Sequence, residues 1–337
     1  MYEGERLSLP VPSLPRRSEA ANTGKARVAV TRCSNYSPGE VREAIERQFS
    51  LLGGLERFLR RGDSVLLKPN FIAPRGSSEA VQTDPAVIVA AAQIVKDFGA
   101  KPFVADSPAW QNVFACTKAL GLDEPLKKLG VPVKQLNKPK RCRIAGSSVG
   151  ISTVALEADR IINLPKLKTH TQVGATFAVK NMFGCVCGKE KPFWHFARGS
   201  RCEDFCRLLI EIYRLLAPAV TIIDGVWAME GDGPIRGRAR ELGVLIGSVE
   251  PIACEMICCE LVGFAPEDLP IIRTARQTGF GCRDMSAIEV VGDGFAEFVC
   301  RDFERAEQIP IQFTFGRVCK SVAKQVILLA KSLIRKS

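Results

Sequence analysis

The sequence predicts an α/β protein with two lobes around mostly parallel sheets and an active-site cleft between the lobes. Short apolar runs alternate with helical patterns of ten or more residues along most of the chain, an order typical of parallel sheets. Prolines and glycines stand where these runs begin and end. With 337 residues, 46% of them hydrophobic and 25% charged, the chain can form one large domain or two lobes.

The first third of the chain shows this alternation clearly. The elements predicted there are a strand at 26–31, a helix at 38–60, a strand at 64–68, a helix at 85–98 and a strand at 101–105. Pro38 and Pro85 suit first helical turns, where a missing N–H costs nothing. Gly62 and Gly99 mark the turns that lead into the next strands.

The remaining elements follow the same reasoning. They are strands at 150–155 and 160–164, a helix at 204–216, strands at 220–224 and 243–246, helices at 251–262 and 266–278, and a strand at 288–291. Pro218 stops the third of the predicted helices. Residues 225–240 are rich in glycine and charge and are predicted to form a loop, and a boundary between the lobes is predicted near 145–160.

The two ends of the chain differ in composition from the α/β domain predicted over 26–310. Residues 1–25 contain Pro10, Pro12 and Pro15 and no apolar core segment, so they are expected to be a disordered leader rather than a secretory signal. No run of about 18 apolar residues occurs, so a transmembrane helix is not expected.

The net charge of +11 is concentrated in two places. Six basic residues and no acidic ones lie beyond residue 316, and four more form a cluster at Lys138, Lys140, Arg141 and Arg143. The remainder is close to balanced and contains no nucleic-acid-binding motif, so no nucleic-acid partner is predicted.

Residues 315–337 are predicted to form a basic amphipathic helix. Between 317 and 335 the basic residues fall on one stripe, and valines and leucines fall on the opposite face. Such a helix suits peripheral contact with an anionic membrane, but it also suits docking on its own domain or on a partner subunit of a homo-oligomer. The expected location is cytoplasmic, or peripheral at the inner membrane surface.

Polar residues follow several predicted strands, at the edge where parallel sheets bind ligands. The predicted cofactor-binding residues are Lys68, Asn70, Asp106, Lys180, Asp224, Glu230 and Asp232. We expect these strand ends to face one crevice that takes a small-molecule substrate.

Titratable residues are concentrated between Lys166 and His195. The only two histidines of the chain, His170 and His195, lie here with several lysines. Histidine transfers protons near neutral pH, and a desolvated lysine can act as a nucleophile or a covalent anchor. The predicted catalytic residues are His170, Lys180, Lys166 and Lys168.

The segment NLPKLKTHTQVGATFAVKNMFGCVCGKEKPFWH resembles the signature of the domain-of-unknown-function family 362. The runs VLLKPN, VADSP and IIDGVWAMEGDGPIRG match further segments of that family in the expected order. Iron–sulfur domains end many members of the family, but the paired C-x-x-C runs that they require are not present in this chain.

The order His170, Lys180, His195 also resembles the active segment of the nickel-pincer lactate racemases. That resemblance implies that Lys180 anchors a cofactor, that His195 is a metal ligand and that His170 is an acid–base group. Phe177, Ala178 and Val179 replace the Gly-Gly-Arg that precedes the lysine in those enzymes. A shared fold is therefore favoured over a shared nickel-pincer cofactor.

The predicted function is an enzyme that moves a hydride or proton on a small oxygenated substrate with a bound metal or redox cofactor. Lys180 is expected to be the most sensitive lysine, whereas Lys189→Arg and Lys191→Arg should stay near wild type.

An alternative function, that of a metal carrier, comes from the cysteines. The chain has 13 of them, and because an odd number cannot all pair in disulfides and no secretory signal is predicted, reduced thiols are expected. Most of them suit buried apolar positions. Cys185, Cys187, Cys202 and Cys206 lie close to His195 in sequence and could instead hold zinc or an iron–sulfur cluster in a non-catalytic protein.

Overall fold

The computed structural model describes residues 24–188 and 190–311. The strands in these ranges are β1 (Ala26–Arg32), β2 (Ser64–Pro69), β3 (Lys101–Asp106), β4 (Val133–Gln135), β5 (Pro139–Ile144), β6 (Ser147–Ser152), β7 (Arg160–Leu164), β8 (Lys166–His170), β9 (Gly174–Thr176), β10 (Val220–Glu230), β11 (Arg238–Ser248) and β12 (Ile288–Gly292). The helices are α1 (Pro38–Leu51), α2 (Pro85–Asp97), α3 (Val113–Ala119), α4 (Asp123–Leu129), α5 (Thr153–Leu156), α6 (Ala178–Asn181), α7 (Glu190–Arg198), α8 (Cys202–Leu216), α9 (Pro251–Leu261) and α10 (Pro270–Thr278).

A ten-stranded sheet organises the molecule, in the order β12-β1-β11-β10-β7-β2-β3-β4, with β8 on β10 and β9 on β8. The pairs β10–β7, β7–β2, β2–β3 and β3–β4 are parallel, whereas β11 is antiparallel to both of its neighbours. The prediction of an α/β fold with a mostly parallel sheet is therefore confirmed. Its division into two lobes stays a prediction.

Helices cover both faces of the sheet, because neighbouring residues of each strand point to opposite sides. In β2, Leu66 joins one apolar core, whereas Val65 and Leu67 join the other. The first core also takes the inner faces of α8, α9 and α10, and the second takes those of α1, α2 and α4.

Three predicted elements differ in the structure. Helix α1 ends at Leu51 instead of 60, because Gly53 and Gly54 adopt positive φ angles that a helix cannot continue. The predicted loop at 225–240 is wrong over most of its length, because β10 continues to Glu230 and pairs with β11 from Arg238.

The third difference concerns residues 150–155. They end strand β6 and begin helix α5, and β6 pairs with β5 in a two-stranded hairpin outside the main sheet. The leader before residue 24, Lys189 and the predicted helix at 315–337 lie outside the described residues.

Candidate active site

A cavity of about 240 Å³ opens beyond the carboxyl ends of β2 and β3 and along β8. Parallel strands bring their carboxyl ends to one edge of the sheet, so residues far apart in sequence converge there. The predicted residues that line the cavity are Lys68, Asn70, Asp106, Lys168, His170, Lys180 and His195.

A buried ion pair forms the floor of this cavity. Lys68 Nζ lies 2.9 Å from Asp106 Oδ1, and the two side chains are only 1% and 2% exposed. Asp106 Oδ2 accepts a hydrogen bond of 2.9 Å from the backbone N–H of Phe71, and Lys68 Nζ also donates to the carbonyl of Pro69 at 2.6 Å. Since a buried ion pair is tolerated only when its remaining hydrogen-bonding capacity is used, these contacts make the pair a fixed part of the site.

Gly184 packs directly on the ion pair. A Cβ atom at this position would lie 2.5 Å from Asp106 Oδ1 and 2.6 Å from Lys68 Nζ. Only glycine lets the backbone approach so closely, which explains the glycine four residues after Lys180.

Three asparagines connect the cavity to the sheet. Asn70 Nδ2 donates to Asn181 Oδ1 at 2.9 Å, and Asn181 Nδ2 donates to Asn163 Oδ1 at 2.8 Å. Asn163 in turn donates to the carbonyl of Ala178, at the first residue of α6. This network fixes the short helix α6, which carries Lys180.

Lys180 extends from α6 into the cavity. Its side chain is half-buried because it borders the open space, and no ion pair within the described ranges includes it. Burial among protein atoms, helped by the nearby ammonium of Lys191, lowers the pKa of Lys180 from 10.5 to about 8. A substantial neutral fraction is therefore available near physiological pH.

Both histidines of the chain border the same cavity in neutral form. Burial and the neighbouring lysine Lys180 lower the pKa of His170 well below 6.5 and that of His195 to about 3. His170 Nδ1 accepts a hydrogen bond of 3.1 Å from the N–H of Gln172, so its proton resides on Nε2. The ring of His195 packs against Phe205, with 4.6 Å between the ring centroids.

Lysines outnumber acidic residues in the lining of the cavity. Lys68, Lys168, Lys180 and Lys191 line it, and Asp106 is the single acidic residue among its described lining residues. Lys168 donates to the carbonyls of Val81 and Pro234, and Lys191 donates to that of Ser107. Carbonyl groups bring no negative charge to balance an ammonium, and burial, helped by Lys180 and Lys166, lowers the pKa of Lys168 well below 10.5. An anionic ligand would supply the missing counter-charge and favour the protonated lysines.

Unsatisfied polar atoms also face this region. Asn70 Oδ1, Ser107 Oγ and Thr176 Oγ1 are buried and have no hydrogen-bond partner among residues 24–188 and 190–311, and all three residues line the cavity. Because a buried polar atom without a partner costs about 1–3 kcal/mol, these atoms indicate a ligand that carries hydroxyl or carbonyl groups.

Four predicted site residues lie elsewhere. Lys166 Nζ pairs with Asp224 Oδ2 at 2.9 Å, and Tyr36 donates to Asp224 Oδ1 at 2.7 Å, so this cluster is buried beside β10. Glu230 binds Arg238 at the far end of β10, and Asp232 is exposed in the following turn. The prediction that these residues share the cavity is corrected, because Lys166 and Asp224 neutralise one another within the sheet.

The four cysteines of the metal-carrier alternative are not assembled into a site. Within the described residues no three His, Cys, Asp or Glu side chains are placed to hold a metal ion. Cys202 and Cys206 interact with each other on α8, but Cys185 lies buried beside the Lys68–Asp106 pair, where burial raises the pKa of its thiol to about 12.

Sequence reasoning missed several residues of the cavity. Lys191 was expected to be neutral to substitution, but its side chain is buried and its pKa falls from 10.5 to about 8 because of desolvation. Ser107 carried no signal beyond its position next to a predicted strand end, and Thr176 was noted only as part of the segment that resembles the family signature. The buried face of α7 supplies Lys191, and a helical repeat over 190–198 could have revealed it.

Comparison with known proteins identifies the family. The model of the family described as "Domain of unknown function (DUF362)" matches residues 65–260, and the chain belongs to that family. A thylakoid-associated protein of Synechocystis sp. is 32% identical over 302 residues, which cover 88% of this chain and 93% of that protein. The structure of the lactate racemase apoprotein of Thermoanaerobacterium thermosaccharolyticum aligns with a TM-score of 0.47 and 11% sequence identity. The alignment covers 68% of this chain and 56% of the racemase chain.

Proposed function

We propose that this protein is an enzyme that transfers a proton or hydride on a small anionic molecule bearing a hydroxyl or carbonyl group. The observation that carries the proposal is the cavity itself, in which four lysines face one carboxylate and Lys180 has no ion-pair partner among the described residues. An isomerase or an oxidoreductase acting on an oxygenated carbon fits this environment.

Lys180 is assigned the role of base or covalent anchor. A general base works best when its pKa lies near the operating pH, and the pKa of about 8 meets this condition. The neutral amine could accept a proton from the substrate carbon, and Lys191 would then stabilise the developing negative charge by its proximity.

His170 is assigned a hydrogen-bonding role rather than that of a base. Because its Nδ1 already accepts a backbone N–H, Nε2 carries the proton and donates to a substrate oxygen. Asn70, Ser107 and Thr176 would hold the hydroxyl group of the substrate through their unpartnered oxygens.

The predicted metal cofactor does not fit the protein donors of the cavity. His170 and His195 are the imidazoles that line it, and the described residues add no third ligand of the kind that holds a metal ion. The residues of the cavity can carry out proton transfer by themselves, and we assign only this step to them. Hydride transfer would also need a bound redox cofactor to accept the hydride. The cysteine-based carrier has no supporting observation among the described residues.

The reaction can be tested without knowing the natural substrate. Single-enantiomer L-lactate and L-malate would be incubated with the protein in D₂O and followed by NMR and chiral separation. Racemisation with loss of the C–H signal indicates proton transfer, and racemisation with retention of that signal indicates hydride transfer. Lys180→Met should abolish either reaction, whereas Lys118→Met, on the exposed surface of α3, should not.

A measurement of ligand binding could contradict the proposal. Glycolate should stabilise the protein against thermal unfolding more than acetate, which lacks the hydroxyl group, and far more than neutral glycolamide. Equal effects of glycolate and glycolamide would remove the anionic substrate class. Binding of glycolate without turnover of any hydroxy acid would leave a binding protein rather than an enzyme.

We also propose peripheral membrane contact through residues 317–335. The proposal is supported by the basic and apolar stripes of that sequence, which lies outside the described residues, and by the relative named as thylakoid-associated. Within the described ranges no helix is long and apolar enough to cross a membrane.

A further inference from the structure

Helix α7 exposes two large aromatic residues on its outer side. Phe193 is 55% exposed and Phe196 is 44% exposed, and their three-residue spacing places them on the same side of the helix. On the opposite side, Lys191 and Trp194 are buried. A solvent-exposed pair of phenylalanines is costly in water, so this side of α7 is suited to an apolar environment.

A basic hairpin lies directly beside α7. Arg141 of β5 pairs with Glu190 at 2.9 Å, and Arg198 donates to the carbonyl of Ala145 at 2.9 Å, so both ends of α7 are joined to the β5–β6 hairpin. Residues 138–152 contain no acidic residue. Lys138, Lys140, Arg141 and Arg143 are all exposed.

This hairpin holds a large part of the excess positive charge of the protein. Its four basic residues and the six beyond residue 316 account for ten of the net charge of +11. The rest of the chain is nearly neutral, so the charge is not a general adaptation for solubility. It is concentrated in two segments of the sequence that suit an anionic partner.

We propose that the exposed side of α7 and the adjacent hairpin form a membrane-contact face that binds anionic lipid bilayers. The face consists of Phe193, Phe196, Lys138, Lys140 and Arg143, together with Arg141, whose charge is shared with Glu190. The phenylalanines enter the interfacial layer of the bilayer, and the lysines and arginines contact the lipid headgroups.

Charge favours a lipid bilayer, rather than the segment beyond residue 316, as the binding partner of this face. The segment beyond residue 316 has an apolar stripe, but it carries six basic residues and no acidic residue. Docking this segment on a hairpin with four further cations would bring like charges together. An anionic surface, in contrast, attracts the hairpin and the segment at once.

The face also has a functional consequence. The buried side of α7 supplies Lys191, Pro192 and His195 to the cavity, so one nine-residue helix borders both the proposed bilayer contact and the candidate active site. Attachment through α7 would therefore hold the cavity close to the membrane surface.

Co-sedimentation of the full-length protein with lipid vesicles tests the proposal. Vesicles of phosphatidylglycerol in phosphatidylcholine should bind the protein, whereas pure phosphatidylcholine vesicles should bind it far more weakly. Phe193→Ser with Phe196→Ser, and separately Lys140→Gln with Arg143→Gln, should each weaken binding to the anionic vesicles roughly tenfold or more. Phe114→Ser is the matched control, since Phe114 on α3 is 53% exposed but lies outside the face.

A tail variant with Lys320→Gln, Lys324→Gln and Lys331→Gln separates this face from the segment beyond residue 316. The tail and face substitutions should weaken binding independently, and thermal unfolding would verify that each variant is folded. Wild-type affinity in both face variants would overturn the proposal, as would equal binding to neutral vesicles. It would also be overturned if the face variants lost binding to polyuridine RNA while they kept full binding to vesicles.

Discussion

Replacing Lys180 with methionine should make the protein more stable at neutral pH. The pKa of Lys180 is lowered from 10.5 to about 8, first by burial and then by the nearby Lys191. In the unfolded chain the lysine has its ordinary pKa. Between these two values the unfolded state binds more protons, so the free energy of unfolding rises with pH through this window. Below about pH 8 the full cost of the buried ammonium is present.

The magnitude follows from the two pKa values. At roughly 1.4 kcal/mol per pH unit, their difference corresponds to about 3 kcal/mol. This is an upper bound, because the side chain borders the open cavity and solvent screens part of the charge. Methionine keeps an unbranched apolar side chain of similar length and removes the charge. We therefore expect a gain of about 1–3 kcal/mol at neutral pH that shrinks towards zero near pH 10.5.

Urea unfolding at neutral pH and again near pH 10 measures this difference. Lys118→Met, at an exposed position of α3, should change the free energy of unfolding little at either pH. If Lys180→Met is less stable than wild type at neutral pH, or if its gain is the same at both pH values, the buried-ammonium argument is refuted.

Two further substitutions test the supports of the site. Gly184→Ala should cost about 1–3 kcal/mol in urea unfolding, because its Cβ would lie 2.5 Å from Asp106 Oδ1, whereas Gly188→Ala meets its nearest atom at 3.6 Å and should be nearly neutral. Equal costs would contradict the close-approach argument. Glu255 of α9 accepts a hydrogen bond of 2.8 Å from the backbone N–H of Val179 in α6, the helix that carries Lys180. Glu255→Gln should remove a loss of stability that wild type shows as pH rises from about 5 to 8, because burial raises the pKa of Glu255 from 4.5 to about 8. An unchanged pH profile would show that Glu255 is not the group that titrates.

The convergence of the site could be predicted from sequence because it follows from one rule of parallel sheets. Lys68 and Asp106 stand at the carboxyl ends of apolar runs that are easily identified as buried strands. Once the strands are known to be parallel, their ends must share an edge, and the structure places the two side chains 2.9 Å apart. The functional roles assigned to these residues stay predictions.

The full length of the β10–β11 hairpin could not be predicted in the same way. The second half of β10 contains Gly225 and Glu230, and β11 begins with charged residues, so neither resembles a buried strand. They form a hairpin because Trp227 to Glu230 pairs with Arg238 to Glu241 across it. The paired residues are close in sequence, but whether such polar segments form strands depends on the residues that pack against them, which local composition does not reveal.

The buried lysines show why sequence alone cannot separate structural from functional cations. Lys68 and Lys166 both end in apolar surroundings, but each has a carboxylate partner at 2.9 Å, so each is electrically complete without a ligand. Lys168 has only carbonyl oxygens as partners, and Lys180 has no ion-pair partner among the described residues. Compensation of charge therefore decreases from the sheet interior to the cavity. Uncompensated positive charges in this region make folding less favourable. An anion bound in the cavity would supply the negative charge that the described residues do not provide.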